Sequence, residues 1–271
     1  ANAATILGQA GLSATQIGEA LKAVVVFAQG AGTTLDESVN LITSAMGAFN
    51  LRASESMEIA NTFTSALNNS KLTVQQLSTG FQYSATSAAQ LGMSYSELVT
   101  TMQLMADAGI KSGSMMGTGI RQILNQLATP NQRLQQILAS LGLTLQDIDV
   151  RSHGLAQVME TLKNKGFDAT DAFTAFGTRG ASAFIALASQ VDNFYTKLNE
   201  NLGTDAALKA AETQMQSLAN TARNTGAQLA AAASQGFQPL LRITTNLIGV
   251  VGDFFGLMQK LGPAVEIAAT A

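Results

Sequence analysis

The chain is predicted to be all-α: successive short helical hairpins, arranged as a bundle or solenoid, followed by longer helices with a candidate coiled-coil segment. Three observations predict this class. Helix-capping pairs recur roughly every twenty residues along the first half. Each pair opens a run whose apolar residues return at three- and four-residue intervals, the helical period. Clusters of Gly, Asn and Ser separate the runs, and no stretch alternates like a sheet strand for long.

The caps come first. Ser13 with Gln16, Thr34 with Glu37, Thr73 with Gln76 and Ser94 with Glu97 have capping-box spacing, and Ser54 stands at the corresponding place in the remaining unit. The five runs they open carry Ile17, Ala20, Leu21, Val24 and Ala28; Val39, Ile42, Met46 and Phe49; Ile59, Phe63 and Leu67; Leu77, Phe81, Ala85 and Ala88; and Leu98, Met102 and Met105. Gly30-Ala31-Gly32 and Asn68-Asn69-Ser70 read as turns. Gly109 and Gly113 permit a chain reversal, after which Ile120, Ile123, Leu124 and Leu127 line a helix that Pro130 ends.

Leu134, Ile137, Leu138 and Leu141 make the next apolar face, closed by Gly142. Leu143 to Val150 is the one run predicted to be extended. Leu155, Val158, Met159 and Leu162 form a helix closed by Gly166. Asp168 and Asp171 open another that ends at Phe176-Gly177, and a longer helix then carries Phe184, Leu187, Val191, Tyr195 and Leu198.

The pattern changes after Gly203. Leu208, Ala211, Met215, Leu218, Ala222 and Leu229 fall on a heptad seam with small residues and few flanking charges. The same pattern suits an oligomerisation seam or a long helix lying on its own domain. Gly236 and Pro239 interrupt it, and Leu240 to Leu261 forms a last apolar helix, with Arg242, Asp253 and Lys260 set against a simple bilayer span. The organisation expected is therefore 1–130 as a repeated short-helix region, 131–203 as a helical core, and 204–271 as long helices for oligomerisation or membrane proximity. The start at Ala1 and the apolar ending suggest a piece of something longer.

Composition narrows the functions. Charged residues make up 12% of the chain, against about 25% in ordinary globular domains. So little charge suggests a surface covered by copies of itself or by partners. Net charge is −3 without a basic run, which argues against an electrostatic nucleic-acid footprint and against sequence-specific nucleic-acid binding. Cysteine is absent and His153 is the sole histidine, so neither a thiolate site nor a histidine cluster can form within the chain. Asp147 and Asp149 could face a cation but lack the glycine and terminal glutamate of a calcium loop. Gly117-Thr-Gly119 matches a phosphate loop weakly, without a preceding strand. The expectation is no catalytic residue, no metal and no cofactor.

Two short constellations stand out as structural. One is Gly117-Thr-Gly119-Ile-Arg121, leading to Pro130; the other is Phe176-Gly177-Thr-Arg179-Gly180. Their glycines permit close backbone approach, and Arg121 and Arg179 could serve helix-terminal carbonyls or a carboxylate.

At these motifs the chain resembles a known family. GTGIRQILNQLATP, LQQILASLGL, GLAQVMETL and AFGTRGASAFIAL, in that order, are similar to the core of phage tail tape measure proteins, and AAQLGMSYSELVTTMQLMADAGI resembles the run before them. The resemblance covers about residues 10 to 200, judged by ordered motifs. It implies a structural protein of the virion, lying in the lumen of the tail tube and made in the host cytoplasm. It implies a part in setting tail length and in genome delivery. The implied partners are further copies of itself, the tail tube protein, baseplate hub proteins and assembly chaperones, and the family has no catalytic residues to carry over. The alternative reading is a membrane-active helical module, resting on Leu240 to Leu261 and taking the host membrane as its partner.

Overall fold

A computed structural model describes residues 2–233. Among them the chain forms thirteen α-helices and two short 3-10 turns, with no strand. In order the helices are α1 (Asn2–Gln9), α2 (Ala14–Gly30), α3 (Leu35–Phe49), α4 (Ser56–Asn68), α5 (Val74–Gln90), α6 (Tyr95–Asp107) and α7 (Gly113–Ala128). There follow α8 (Gln132–Ser140), α9 (Val150–His153), α10 (Leu155–Asn164), α11 (Ala169–Ala188), α12 (Phe194–Asn201) and α13 (Ala206–Ala233). Contacts divide the chain into Ala1–Ala211 and Glu212–Ala271. Within the first unit one continuous apolar core runs from Ala3 to Ala211.

The caps act as their spacing predicts. The backbone N–H groups of Ser13, Thr73 and Ser94 donate to Gln16 Oε1 (2.9 Å), Gln76 Oε1 (2.9 Å) and Glu97 Oε2 (2.7 Å), closing three capping boxes. Thr34 accepts from the Glu37 N–H at 3.1 Å, while the Glu37 carboxylate takes the Thr33 hydroxyl instead of completing the box. Ser54 is the exception. It lies inside a 3-10 turn, Ala53–Glu55, because Glu55 Oε2 accepts from the Arg52 N–H at 2.7 Å and from its guanidinium at 3.2 Å. The helix begins at Ser56 instead.

Packing decides between bundle and solenoid. Helices seat mainly on the next but one: α2 on α4, α3 on α5, α5 on α7, while α12 lies across α4 and α6 and α11 lies on α7. α6 and α7, joined through the Gly109 turn, barely meet. Interleaving of this kind gathers Phe27, Phe49, Phe63, Phe81 and Tyr95 from five helices into one aromatic cluster. Its ring centroids lie 5.5 to 6.3 Å apart, mostly edge to face.

Two local expectations are corrected. Leu143 to Val150 is not extended. Asp147 Oδ2 accepts from both the backbone and the hydroxyl of Thr144 at 2.7 Å, which folds the run into turns ahead of α9. The helix expected through Leu198 stops at Ala188 and restarts at Phe194, with a 3-10 turn at Val191–Asn193 between. The apolar spacing gives no sign of this break because Phe184, Leu187, Val191 and Phe194 all enter the same core. The restart shifts the register by one: Phe194 is buried, and Tyr195 is 54% exposed.

Candidate functional site at a glycine-lined helix junction

The two glycine-arginine motifs, far apart in sequence, meet in space. Helix α7 carries Gly113 and Gly117 on one side and Gly119 on another, and each side receives a different helix. A Cβ added at Gly113 would sit 2.5 Å from the Gln76 carbonyl oxygen of α5. One at Gly117 would run into the Gly80 carbonyl oxygen and come 2.7 Å from Tyr83 Cβ. On the other side, a Cβ at Gly119 would strike Ala183 Cβ of α11 and stand 3.0 Å from the Arg179 carbonyl. Gly180 lies on α11 near the same crossing: its Cβ would stand 2.6 Å from Phe176 Cβ of its own helix and 3.3 Å from Gln122 Cβ of α7. Backbones at such separations leave room for hydrogen only.

Gly113 thus has a different task from the one its turn-like surroundings predict. Ser112 caps α7 by accepting from the Met115 N–H at 3.3 Å, and Gly113 is the first helical residue. The Gly117-Thr-Gly119 run is wholly helical, with the Thr118 hydroxyl donating back to the Ser114 carbonyl at 2.6 Å. Its N–H groups are committed to the helix and cannot cradle a phosphate.

Gly177 breaks α11, with φ 67° and ψ 178°, a region open essentially to glycine alone. The break lets Phe176 turn into a second aromatic cluster with Phe167 and Phe184, at centroid distances of 5.7 and 5.5 Å. Pro130 follows the end of α7, and Asn131 then caps α8 by accepting from the Leu134 N–H at 2.8 Å. The Asn131 amide also donates to the Ala175 carbonyl at 3.3 Å, tying the end of one motif to the start of the other.

Arg121 and Arg179 do not make the contacts expected of them. Both are exposed, and among the described residues no hydrogen bond or ion pair joins either side chain. They point outward from helices whose inner sides are taken by the glycines. Three participants were missed from sequence: Gly80, Ala183 and Asn131. Gly80 had a visible signal, a glycine in the middle of an otherwise unbroken helical pattern, which usually has a packing reason. Ala183 had none, since an alanine fits any helix.

The remaining candidates are placed as follows. His153 is exposed at the end of α9. Asp147 and Asp149 serve local turns rather than a shared site. The Thr144 hydroxyl and N–H hold the Asp147 carboxyl below its usual range, and chiefly the Ser152 hydroxyl does the same for Asp149. Asp168 and Asp171 form a capping box at the start of α11.

On α13, Ala211 is buried while Leu208 is 39% exposed, and Ala207 lies against the end of α2, its carbonyl 2.8 Å from where a Gly30 Cβ would stand. In the second unit Leu218 is 57% exposed, and Met215 and Ala222 are half-buried. The Leu229 side chain and Leu240 to Leu261 lie outside the described residues. Among the described residues no helix is long and apolar enough to cross a membrane.

An all-α bundle whose two sequence motifs are spent on the packing of α7 between α5 and α11 is the class this geometry defines. The chain belongs to the phage-related minor tail protein family, whose model matches residues 1–175. It is similar to the tape measure protein of Pneumococcus phage Dp-1, 26% identical over 272 residues, covering 96% of this chain and 24% of that protein. It is also similar to the probable tape measure protein of Escherichia phage P2, 26% identical over 228 residues, covering 81% of this chain and 27% of that protein. The chain therefore spans about a quarter of the length of these relatives. No solved structure matches it.

Proposed function

We propose that the chain is a structural segment of a tape measure protein, carried in the tail of a phage, that helps set tail length during assembly and assists genome delivery on infection. The observation that carries the reading is the family match across residues 1–175, which takes in the whole first motif and ends at the second. The low charged fraction of 12% supports a surface meant for contact with other chains. Leu208 and Leu218 on α13 offer apolar side chains for such contact. The partners proposed are further copies of the chain, tail tube protein, baseplate hub proteins and assembly chaperones. The proposal assigns no catalytic step: the glycines of the two motifs are used for packing, and Asp147 and Asp149 for turns.

The test is tail length in particles. An in-frame duplication of α13, residues 206–233, adds 28 residues of helix, or about 42 Å at 1.5 Å per residue. Tails longer by about that amount in electron micrographs support a measuring role for this segment. Tails of unchanged length, from particles shown to contain the lengthened protein, refute it.

A further inference from the structure

Helix α12 is seated through buried side-chain hydrogen bonds. Four hydrogen bonds join it to α4, to the Asn69 cap of α4 and to α6. Asn201 is fully buried, and its amide donates to Thr100 Oγ1 at 3.1 Å and to Gln103 Oε1 at 2.8 Å. The Ser65 hydroxyl donates to the Glu200 carbonyl at 2.8 Å, and Lys197 Nζ donates to the Asn69 carbonyl at 3.0 Å. Just beyond, the Ala207 N–H donates to Asn61 Oδ1 at 3.1 Å. Two buried oxygens on the same segment, Asn201 Oδ1 and Thr204 Oγ1, have no hydrogen-bond partner among the described residues.

Apolar anchoring of the segment rests on few side chains, Val191 and Phe194 with the small Ala207 and Ala211. Phe194 is the one large side chain of α12 that is fully buried, with Leu198 partly so, while Tyr195 and Leu202 face outward. A non-helical joint bounds the helix at each end. One is the turn from Ser189 through the 3-10 segment Val191–Asn193; the other is Leu202–Asp205, where Gly203 has φ 62°.

Opening a polar seat costs less than opening an apolar one, because water replaces each lost hydrogen bond. Unpaired buried oxygens gain on exposure, having been desolvated without a partner. Opening the α5–α7–α11 layer would instead undo close backbone contact along three helices.

We propose that α12 is a releasable latch. It opens as a local unit, detaching the chain from about Gln190 onward while the bundle below stays closed. Because α12 precedes α13 in the chain, the latch decides whether the start of α13, at Ala207, stays docked on α2 and Asn61. Asn201 is its positioning residue: it fixes where α12 lies across α4 and α6.

Hydrogen exchange read by mass spectrometry on the 271-residue chain tests this. Amides of residues 194–205 are expected to be protected at least about 100-fold less than those of 116–127, as for a local opening against a global one. Asn201→Asp buries a charge in the seat and is expected to lower protection of 194–205 at least about tenfold further, with 116–127 unchanged. The combined variant Thr100→Val, Gln103→Leu, Asn201→Leu replaces all partners at once and is expected to raise protection of 194–205 about tenfold or more. Equal protection of the two segments in the parent chain overturns the latch, since the helix would then open only with the whole bundle. So does an Asn201→Asp variant that loses protection equally in both. If the combined variant does not fold, the parent chain and Asn201→Asp still decide the matter.

Discussion

Gly117→Ala tests the helix junction most directly. In the interior of an ordinary helix this exchange stabilises by about 1 kcal/mol, because glycine loses more backbone freedom on folding. At Gly117 the new methyl would enter the Gly80 carbonyl oxygen and stand 2.7 Å from Tyr83 Cβ. Carbon atoms prefer about 3.5–4.0 Å, so α5 and α7 must separate by about 1 Å along a buried seam. Neither obstacle is the free end of a side chain: one is backbone and the other a Cβ fixed to it. Overpacking of this kind costs about 1–3 kcal/mol and occasionally more. A cost near the upper end exceeds the propensity gain and leaves a net loss of about 2 kcal/mol, or about 4–8 °C in Tm for a domain of this size.

Gly47→Ala is the matched control. Gly47 lies in α3, is exposed, and has nothing within 4 Å of its added Cβ. It is expected to gain up to about 1 kcal/mol. Urea denaturation of both variants, followed by circular dichroism, gives the comparison. If Gly117→Ala is as stable as Gly47→Ala, the junction is not held by close backbone approach and the reasoning fails.

Three further outcomes follow from the same structure. Gly177→Ala forces an L-residue into φ 67°, ψ 178° and is expected to lose about 1–3 kcal/mol in urea denaturation; no loss would mean the break in α11 is not needed. The carboxyls of Glu37, Glu55, Asp147 and Asp149 are all held below their usual ranges, first by hydrogen bonds from Thr33, Arg52, Thr144 and Ser152 respectively. A depressed folded-state value adds stability above the unfolded value and loses it as pH falls through the folded one. The urea midpoint should therefore decline as pH drops below the ordinary 4.5 of Glu and 3.8 of Asp, less steeply in Asp147→Asn; a rising midpoint would contradict the sign. The proposed self-association through α13 predicts that Leu218→Glu lowers the mass seen by light scattering across a concentration series; an unaltered mass would refute a contact at Leu218.

Much of the fold was legible because helix starts are local. Ser13, Thr73 and Ser94 sit three residues from the Gln or Glu that completes each box, and no distant group is needed to form it. Ser54 shows the limit of the same rule. Glu55 was already engaged by Arg52, so the neighbouring serine never became a cap. The apolar faces were legible too, since Phe63, Phe81 and Leu98 are wholly buried where periodicity put them. Periodicity could not see the break at 189–193, however, because Val191 and Phe194 keep facing the core while the backbone turns.

The sequence by itself determined the helices, their caps and the two glycine-arginine motifs, since each depends on residues within a few positions of one another. Only the tertiary structure decided what those motifs are for. Gly119 finds Ala183, Gly117 finds Gly80, and Asn201 finds Gln103 across long stretches of chain. Close packing selects such partners by shape, and a helix carries no local mark of which neighbour will press against it.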